Sequence, residues 1–507
     1  MMAMMRRLTL IRCACLLAGF GLVLGCGAEP PAAQSPAAES PAAESPAAKP
    51  AAERTLAEPV ARPAKPLREA PPIAPSPPPA IIVESAPAEP SPKEKEEVLR
   101  PRLPPIDEDG VAAQGIRKLE SERLTLYTDL PLDDEIKSLP EQFDQAYPQW
   151  REHLGLADQE AKPWHVVGRL MKDEAKFRAA GLLSDELPQF QFGYTRGDEI
   201  WWREQPSAYY RRHLMLHEGT HSFMYAHFGT CGPPWYMEGM AELLGTHSLV
   251  DGVVKLNVFP ASRDDVPYWG RVKIVRDAVR DGQSLSLEQV LALEPGISST
   301  AVPYGWCWAI AALLDGHPRY RDRFRRLPAE LRQADFDARM KAAYESDWSD
   351  LNEQWQCFTA DLEYGYDFER SAIDFVPGEP LSASNARIEL AADRGWQSAG
   401  IRLEAGKTYR LKASGRYQIA SEPRIWWCEP NGVTIRYYAG RPLGMLLAAV
   451  HPDPYGPAAK SSLLSPIEVG LDAELTPAET GTLYLRINDS PAELRDNTGS
   501  LQVQVAE

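Results

Sequence analysis

The chain has 507 residues, 44% of them hydrophobic, which allows two or three domains with ordinary cores. Its 71 acidic against 54 basic residues give a formal charge of −17, and this argues against a nucleic-acid partner, because phosphate binding needs a basic footprint. Many of the 46 prolines fall before residue 105, so the excess marks a linker rather than a folded part.

The start of the chain reads as an export signal. Arg6 and Arg7 precede a mostly apolar run, Leu8 to Leu24, too short for a comfortable membrane span with its flanks. The run ends in Val23-Leu24-Gly25-Cys26, which resembles a bacterial lipobox. The resemblance implies that Cys26 is acylated and anchors an exported, periplasmic or surface-facing envelope lipoprotein. Residues 27–104 then form a tether containing the Ala/Pro repeat SPAAESPAAESPAAKPAAE at 35–53; such segments stay extended and bury no core. Of the seven cysteines, Cys13 and Cys15 leave with the signal at 1–26, and Cys231, Cys307, Cys357 and Cys428 remain beyond Cys26. An exported compartment permits disulfides, and the lack of a CxxC pair argues against a cysteine zinc site.

From 105 to 375 the pattern mixes helices and strands. Leu124–Thr128 and Trp164–Leu170 read as strands, with a helix at Leu139–Leu154 between them that turns Phe143 and Trp150 inward. Phe192–Trp202 reads as a hairpin turning at Arg196-Gly197-Asp198. Trp201 and Trp202 read as strand packing and cleft wall. Tyr209–Phe228 reads as a helix ended near Gly229. A second helix, Glu238–Leu249, follows the helix-stopping turn Gly232-Pro233-Pro234. Trp306–Asp315 and Asp337–Tyr344 complete a helical second half. From 376 to 507 the period changes to two, in IRLEAGKTYRLKASGRY, TIRYYAG, TGTLYLRIND and GSLQVQVAE, which predicts an all-β module.

Residues 217–221 read His-Glu-Gly-Thr-His. On a helix, positions i and i+4 share a face, so His217 and His221 reach a common ion at about 2.0–2.1 Å. Glu218 stands beside them, placed to touch a metal-held water rather than the metal. Catalytic zinc takes three protein ligands and one open position. The segment Trp235-Tyr236-Met237-Glu238-Gly239-Met240-Ala241-Glu242 is close enough to supply the third.

HEGTH followed by W-x-x-E-G-x-A-E resembles the gluzincin clan of zinc metallopeptidases (peptidase MA-like), and most its membrane alanyl aminopeptidase-like branch. The resemblance covers roughly residues 120–345 and implies an α+β zincin-type catalytic domain, an N-terminal sheet plus active-site helices, that hydrolyses peptide or protein substrates. It implies that His217, His221 and Glu238 bind Zn2+, that Glu218 is the general base, and that Glu242 orients a ligand histidine. Tyr304, opening a later helix in Pro303-Tyr304-Gly305-Trp306, matches the tyrosine that donates to the oxyanion, although the family's following Lys-Gly is absent. His247 ranks below it as a candidate, His213 reads as a packing residue, His227 as a favourable charge at its helix end, and Cys231 as a disulfide partner or free thiol. Phe192–Trp202 lacks the Gly-x-Met-x-Asn strand with which that branch grips a free amine, so aminopeptidase specificity does not carry over.

Gly395-Trp396, Gly400-Ile401, Ala405-Gly406, Ala413-Ser414-Gly415, Arg441 to Leu446, Thr482 to Asp489 and Asp496-Asn497-Thr498-Gly499-Ser500-Leu501 resemble the PA-IL-like galactophilic lectin family over about 395–507. The resemblance implies a calcium-dependent β-sandwich that binds galactosides. Asp489, Asp496 and Asn497 are oxygen ligands suited to Ca2+, although the family's full ligand set is not visible. The expectation is an envelope-anchored zinc peptidase with an accessory sandwich. The alternative is a lipid-anchored, carbohydrate-binding adhesin whose metallo-domain is non-catalytic.

Overall fold

The computed structural model describes residues 105–293, 300–381, 385–452 and 460–507; the expected signal segment with Cys26 and the expected tether at 27–104 lie outside the described residues. Strand β1 (Arg117–Glu120) pairs antiparallel with β2 (Leu124–Thr128), and β2 runs parallel to β3 (Val166–Met171). Strands β4 (Gly193–Arg196) and β5 (Glu199–Arg203) form a hairpin. Its β5 arm lies parallel to β3, which leaves β4 on the outer edge. The period-two rule divides the residues between two faces. Leu124, Leu126, Val166, Leu170, Ile200 and Trp202 enter the main core, whereas Tyr127, Met171 and Trp201 enter a satellite core on the other side. Trp201 and Trp202 are therefore both buried and neither walls a cleft.

Helix α1 (Asp134–His153) starts earlier than its apolar pattern suggests, because the Asp133 carboxylate accepts the Ile136 N–H and caps it. The described part of β3 begins later than expected. Trp164 instead packs against Phe143, Trp150 and Phe223 and donates its indole N–H to Ser222. Helix α2 (Ala208–Phe228) is capped by Ser207 and ends at Gly229, whose φ of +79° is the left-handed conformation of a glycine stop. Helix α3 runs Pro234–Gly245 rather than Glu238–Leu249. The prolines start this helix instead of holding it off, since Pro234 at its first position has no N–H to leave unpaired. His247–Val250 belongs to a hairpin with Val253–Leu256. Helices α4 (Arg271–Arg280), α5 (Val302–Gly316) and α6 (Trp348–Asp361) are the longest of the second half, which also holds shorter helices such as Phe336–Ala343.

The C-terminal region is a β-sandwich. One sheet orders Asn431–Tyr438, Arg441–Pro452, Gly481–Ile487, Gln397–Leu403 and Glu379–Pro380. The other orders Asp472–Leu475, Tyr409–Ser414, Ser500–Ala506 and Asn385–Ala391. Alternate residues such as Tyr409, Leu411, Leu501, Val503 and Val505 fill its own core. The sandwich docks on α6, where Glu353 bonds His451 at 2.6 Å and Ser461 at 2.5 Å, and Asp361 pairs with Arg486 at 3.0 Å. All described residues fall within one compact unit. Among them no helix is long and apolar enough to cross a membrane, and Cys231, Cys307, Cys357 and Cys428 are free and buried.

Candidate metal centre

Helices α2 and α3 carry the site. One turn of α2 turns His217 and His221 to the same side, as the i, i+4 spacing requires. Helix α3 lies against α5 at Gly239, where an added Cβ would come within 2.8 Å of the Cys307 carbonyl oxygen. That close approach fixes the adjacent Glu238 opposite the two rings. Glu238 Oε2 lies 3.3 Å from His217 Nε2 and 3.5 Å from His221 Nε2, and the two ring nitrogens are 3.2 Å apart.

These spacings test whether a metal fits. Ligands arranged tetrahedrally at 2.0–2.1 Å around zinc stand about 3.3–3.4 Å from one another, close to the three distances observed. Glu238 Oε2 is also buried without a hydrogen-bond partner. Two imidazoles and a carboxylate are a zinc donor set, so His217, His221 and Glu238 form a group able to hold a metal ion. Burial works against the charge on Glu238, but His221 and His217 outweigh it and hold its carboxyl down at about 2. Burial also works against charging His217, but the carboxylates of Glu238, Glu242 and Glu218 push it up to about 9.

Glu218 is buried, and burial pushes its carboxyl above the usual range against the pull of His217 and His221. Its Oε2 accepts a 2.6 Å hydrogen bond from the Thr195 hydroxyl. Gly193, on the same face of β4, lies so close that an added Cβ would overlap the Glu218 carboxylate. Neither residue stood out in the sequence. Their contact joins a sheet edge to a helix, and only the small residue two places before the threonine hinted at it.

Glu242 follows Glu238 by one turn. Arg271 takes both its oxygens, Nη2 to Oε1 at 2.7 Å and Nε to Oε2 at 3.0 Å, and the Trp269 indole adds a 3.2 Å bond to Oε2. Burial opposes this charge, and Arg271 then His213 and His217 hold the carboxyl well below its usual range. His213, His217 and Glu242 form a second group with metal-ligand spacing, but the guanidinium already balances the carboxylate there.

Tyr304 stands in the first turn of α5 with its ring centroid 6.3 Å from that of His217. Burial, together with the negative charge of Glu238, Glu218 and Glu242, raises its phenol pKa, so the hydroxyl keeps its proton. His247 stands apart from the centre. It stacks on Tyr209 at 4.5 Å and accepts from Arg212 Nε at 2.8 Å. His227 does not act as a charged cap, because burial and then Lys162, Arg123 and Arg151 pull its pKa down to about 4. The guanidinium of Arg332 caps the helix instead, donating to the His227 and Phe228 carbonyls at 2.8 and 3.0 Å. The Cys231 thiol faces the His221 carbonyl at 3.5 Å.

In the sandwich, Asp489 and Asn497 meet. Asp489 Oδ2 accepts from Asn497 Nδ2 at 2.8 Å, and its Oδ1 accepts the Ser490 N–H at 2.8 Å. Burial pushes the Asp489 carboxyl up to about 7. Asp496 Oδ2 accepts the Ser421 N–H at 3.0 Å, while its Oδ1 and Asn497 Oδ1 are buried without partners.

No protein-family model matches the chain, and no curated protein matches it. Among solved structures it is similar to the EclA N-terminal domain, a PllA-like lectin, with 22% identity over 24% of this chain and 97% of that one at a TM-score of 0.19. It is similar to PliG of Aeromonas hydrophila, a periplasmic inhibitor of g-type lysozyme, with 14% identity over 27% of this chain and 97% of that one at a TM-score of 0.17. The IMPa metallopeptidase, solved in complex with T-antigen, aligns with 14% identity over 70% of this chain and 38% of that one at a TM-score of 0.15. Likeness at these scores assigns neither an activity nor a ligand to this chain.

Proposed function

We propose that this protein is a zinc-dependent peptidase whose metal is held by His217, His221 and Glu238. The observation that carries this reading is the convergence of three metal-ligating atoms within 3.2–3.5 Å beside a buried carboxylate, Glu218. Zinc bound there supplies Lewis acidity, which lowers the pKa of water to about 7 and polarises a carbonyl.

The remaining work falls to the chain. Glu218 accepts a proton at its carboxylate from the attacking water and returns it to the leaving amine. Thr195 fixes the carboxylate's direction, and the protonated phenol of Tyr304 is the donor for the developing oxyanion. Strand β4 is the edge strand beside Glu218, and it is the place where an extended substrate would add to the sheet. The sandwich would then be an accessory module, with the Asp489–Asn497 turn as its place for a hard cation and a galactoside, and lipidation at Cys26 would hold the protein at the cell envelope.

Metal analysis of the purified protein, paired with a peptide-library digest, tests the proposal. Wild-type protein should carry one zinc and cleave peptides, and Glu218→Gln should abolish cleavage while zinc stays bound. Cleavage that survives Glu218→Gln removes the role given to Glu218. A zinc-loaded wild type that cleaves nothing favours a binding protein with a non-catalytic metallo-domain.

A further inference from the structure

The sequence from Pro267 to Arg271 does something unusual on its way into α4. Tyr268 has a φ of +70° and Gly270 a φ of +68°. A bulky residue enters that left-handed region only at a cost, and such cost persists where the surroundings over-determine the conformation. Here the two left-handed residues alternate with two inward ones. Tyr268 is 69% exposed, whereas Trp269 and Arg271 are buried and converge on the same carboxylate, Glu242. The Ser207 hydroxyl, which also caps α2, donates to the Pro267 carbonyl at 2.9 Å and ties this turn to the helix that carries the histidines.

The carboxylate thus held faces two rings. Its Oε1 stands 3.6 Å from His217 Nδ1, just beyond a hydrogen bond, and its Oε2 stands 3.3 Å from His213 Nε2. His217 Nε2 points the opposite way, toward Glu238. An imidazole that gives its Nδ1–H to a carboxylate has its lone pair on Nε2, the nitrogen a metal takes.

We propose that Arg271 and Trp269 are positioning residues for His217, clamping Glu242 from two sides so that it orients the ring for metal binding. This rests on the reading that His217 holds a metal. Charge balance alone would need only a cation near Glu242. The clamp needs the planar fork of a guanidinium, which an ammonium does not reproduce, and the indole N–H, which carries no charge at all.

The test measures zinc affinity by chelator competition and the absorption spectrum of the cobalt-substituted protein. The variants are Arg271→Lys, which keeps the charge and loses the fork, and Trp269→Phe, which keeps a ring against Trp308 and loses the N–H. Both should weaken zinc roughly 10- to 100-fold and shift the cobalt bands, with unchanged far-ultraviolet circular dichroism. Trp269→Phe decides the matter even where Arg271→Lys does not fold. Folded variants with wild-type zinc affinity and cobalt spectrum overturn the clamp. Wild type that takes up no zinc overturns the metal reading itself.

Discussion

Thr195 Oγ1 lies 2.6 Å from Glu218 Oε2, so a hydroxyl on the outer strand of the sheet holds the carboxylate assigned as general base. A hydrogen bond to a charged group contributes about 1.5–3 kcal/mol, or roughly 10- to 100-fold in rate. Thr195→Val should lower kcat by about that factor with zinc content unchanged, and Thr195→Ser should recover most of it. The bond favours the ionised carboxylate, so its loss raises the Glu218 pKa and moves the acid limb of the pH profile of kcat/KM to higher pH. An unmoved acid limb in Thr195→Val would mean that the bond does not act on the titrating group.

Gly193 sets a second limit on the same carboxylate. A methyl group there would overlap Glu218 Oε1 and sit 2.9 Å from its Cδ. The glutamate end is flexible, so the fold should survive Gly193→Ala with a change in melting temperature of only a few degrees. The carboxylate, however, must leave the position that Thr195 gives it. The expected outcome is a loss of at least about 10-fold in kcat with full zinc occupancy, read by steady-state kinetics alongside metal analysis. Wild-type turnover would show that Glu218 works from another position.

The sequence carries local regularities well and long-range pairings poorly. The i, i+4 spacing of His217 and His221 and the one-turn step from Glu238 to Glu242 are helical facts, and the period of two in 500–506 is a strand fact, so each could be read directly. The start of α3 was legible in principle, since a proline at the first helical position is favourable, but two consecutive prolines look like a stop. Arg271 and Trp269 left no local sign, because they meet Glu242 across 29 and 27 positions of chain. The neutral state of His227 follows from burial by Tyr147, Trp164 and Phe223, which its place at a helix end concealed.

Buried histidines make the fold acid-sensitive: His247, which burial pulls down to about 3, and His317 and His227. Burial pulls His317 down to about 4, against the hydrogen bond its ring gives to Gln354 Oε1, which acts the other way, and with Arg319 and Arg321 adding to the fall; His227 also falls to about 4. Between pH 6.5 and 4 the unfolded chain binds protons at these rings that the folded chain does not, so stability rises with pH across this window and is lost as pH falls. His317 and His227 each contribute at most about 3 kcal/mol. The melting temperature should decline from pH 6.5 to pH 4, and the decline should be shallower in His317→Asn, which removes the titrating ring. An equally steep fall in that variant would move the acid sensitivity to other groups.

The turn joining Asp489 to Asn497 decides between a cation site and a hydrogen-bonded corner. Calcium takes only oxygens, so binding would require the Asn497 amide to rotate, giving up its bonds to Asp489 Oδ2 at 2.8 Å and to the Ala392 carbonyl at 3.1 Å. In return the unpartnered Oδ1 atoms of Asn497 and Asp496 would gain a ligand, and the buried Asp489 carboxylate a counter-charge. If the exchange is favourable, calcium at 100 times its Kd stabilises the fold by about 2.7 kcal/mol, a rise of roughly 2–5 °C in Tm. Asp489→Asn should abolish that rise without altering zinc content, because its side-chain oxygen can still accept the Ser490 N–H and its amide can pair with a rotated Asn497. Only the charge is removed. A glycan array run on the whole protein with and without calcium extends the same comparison to galactosides, whose binding should follow the calcium response. A wild-type Tm that calcium leaves unmoved identifies the turn as a corner of the sandwich held by its own hydrogen bonds.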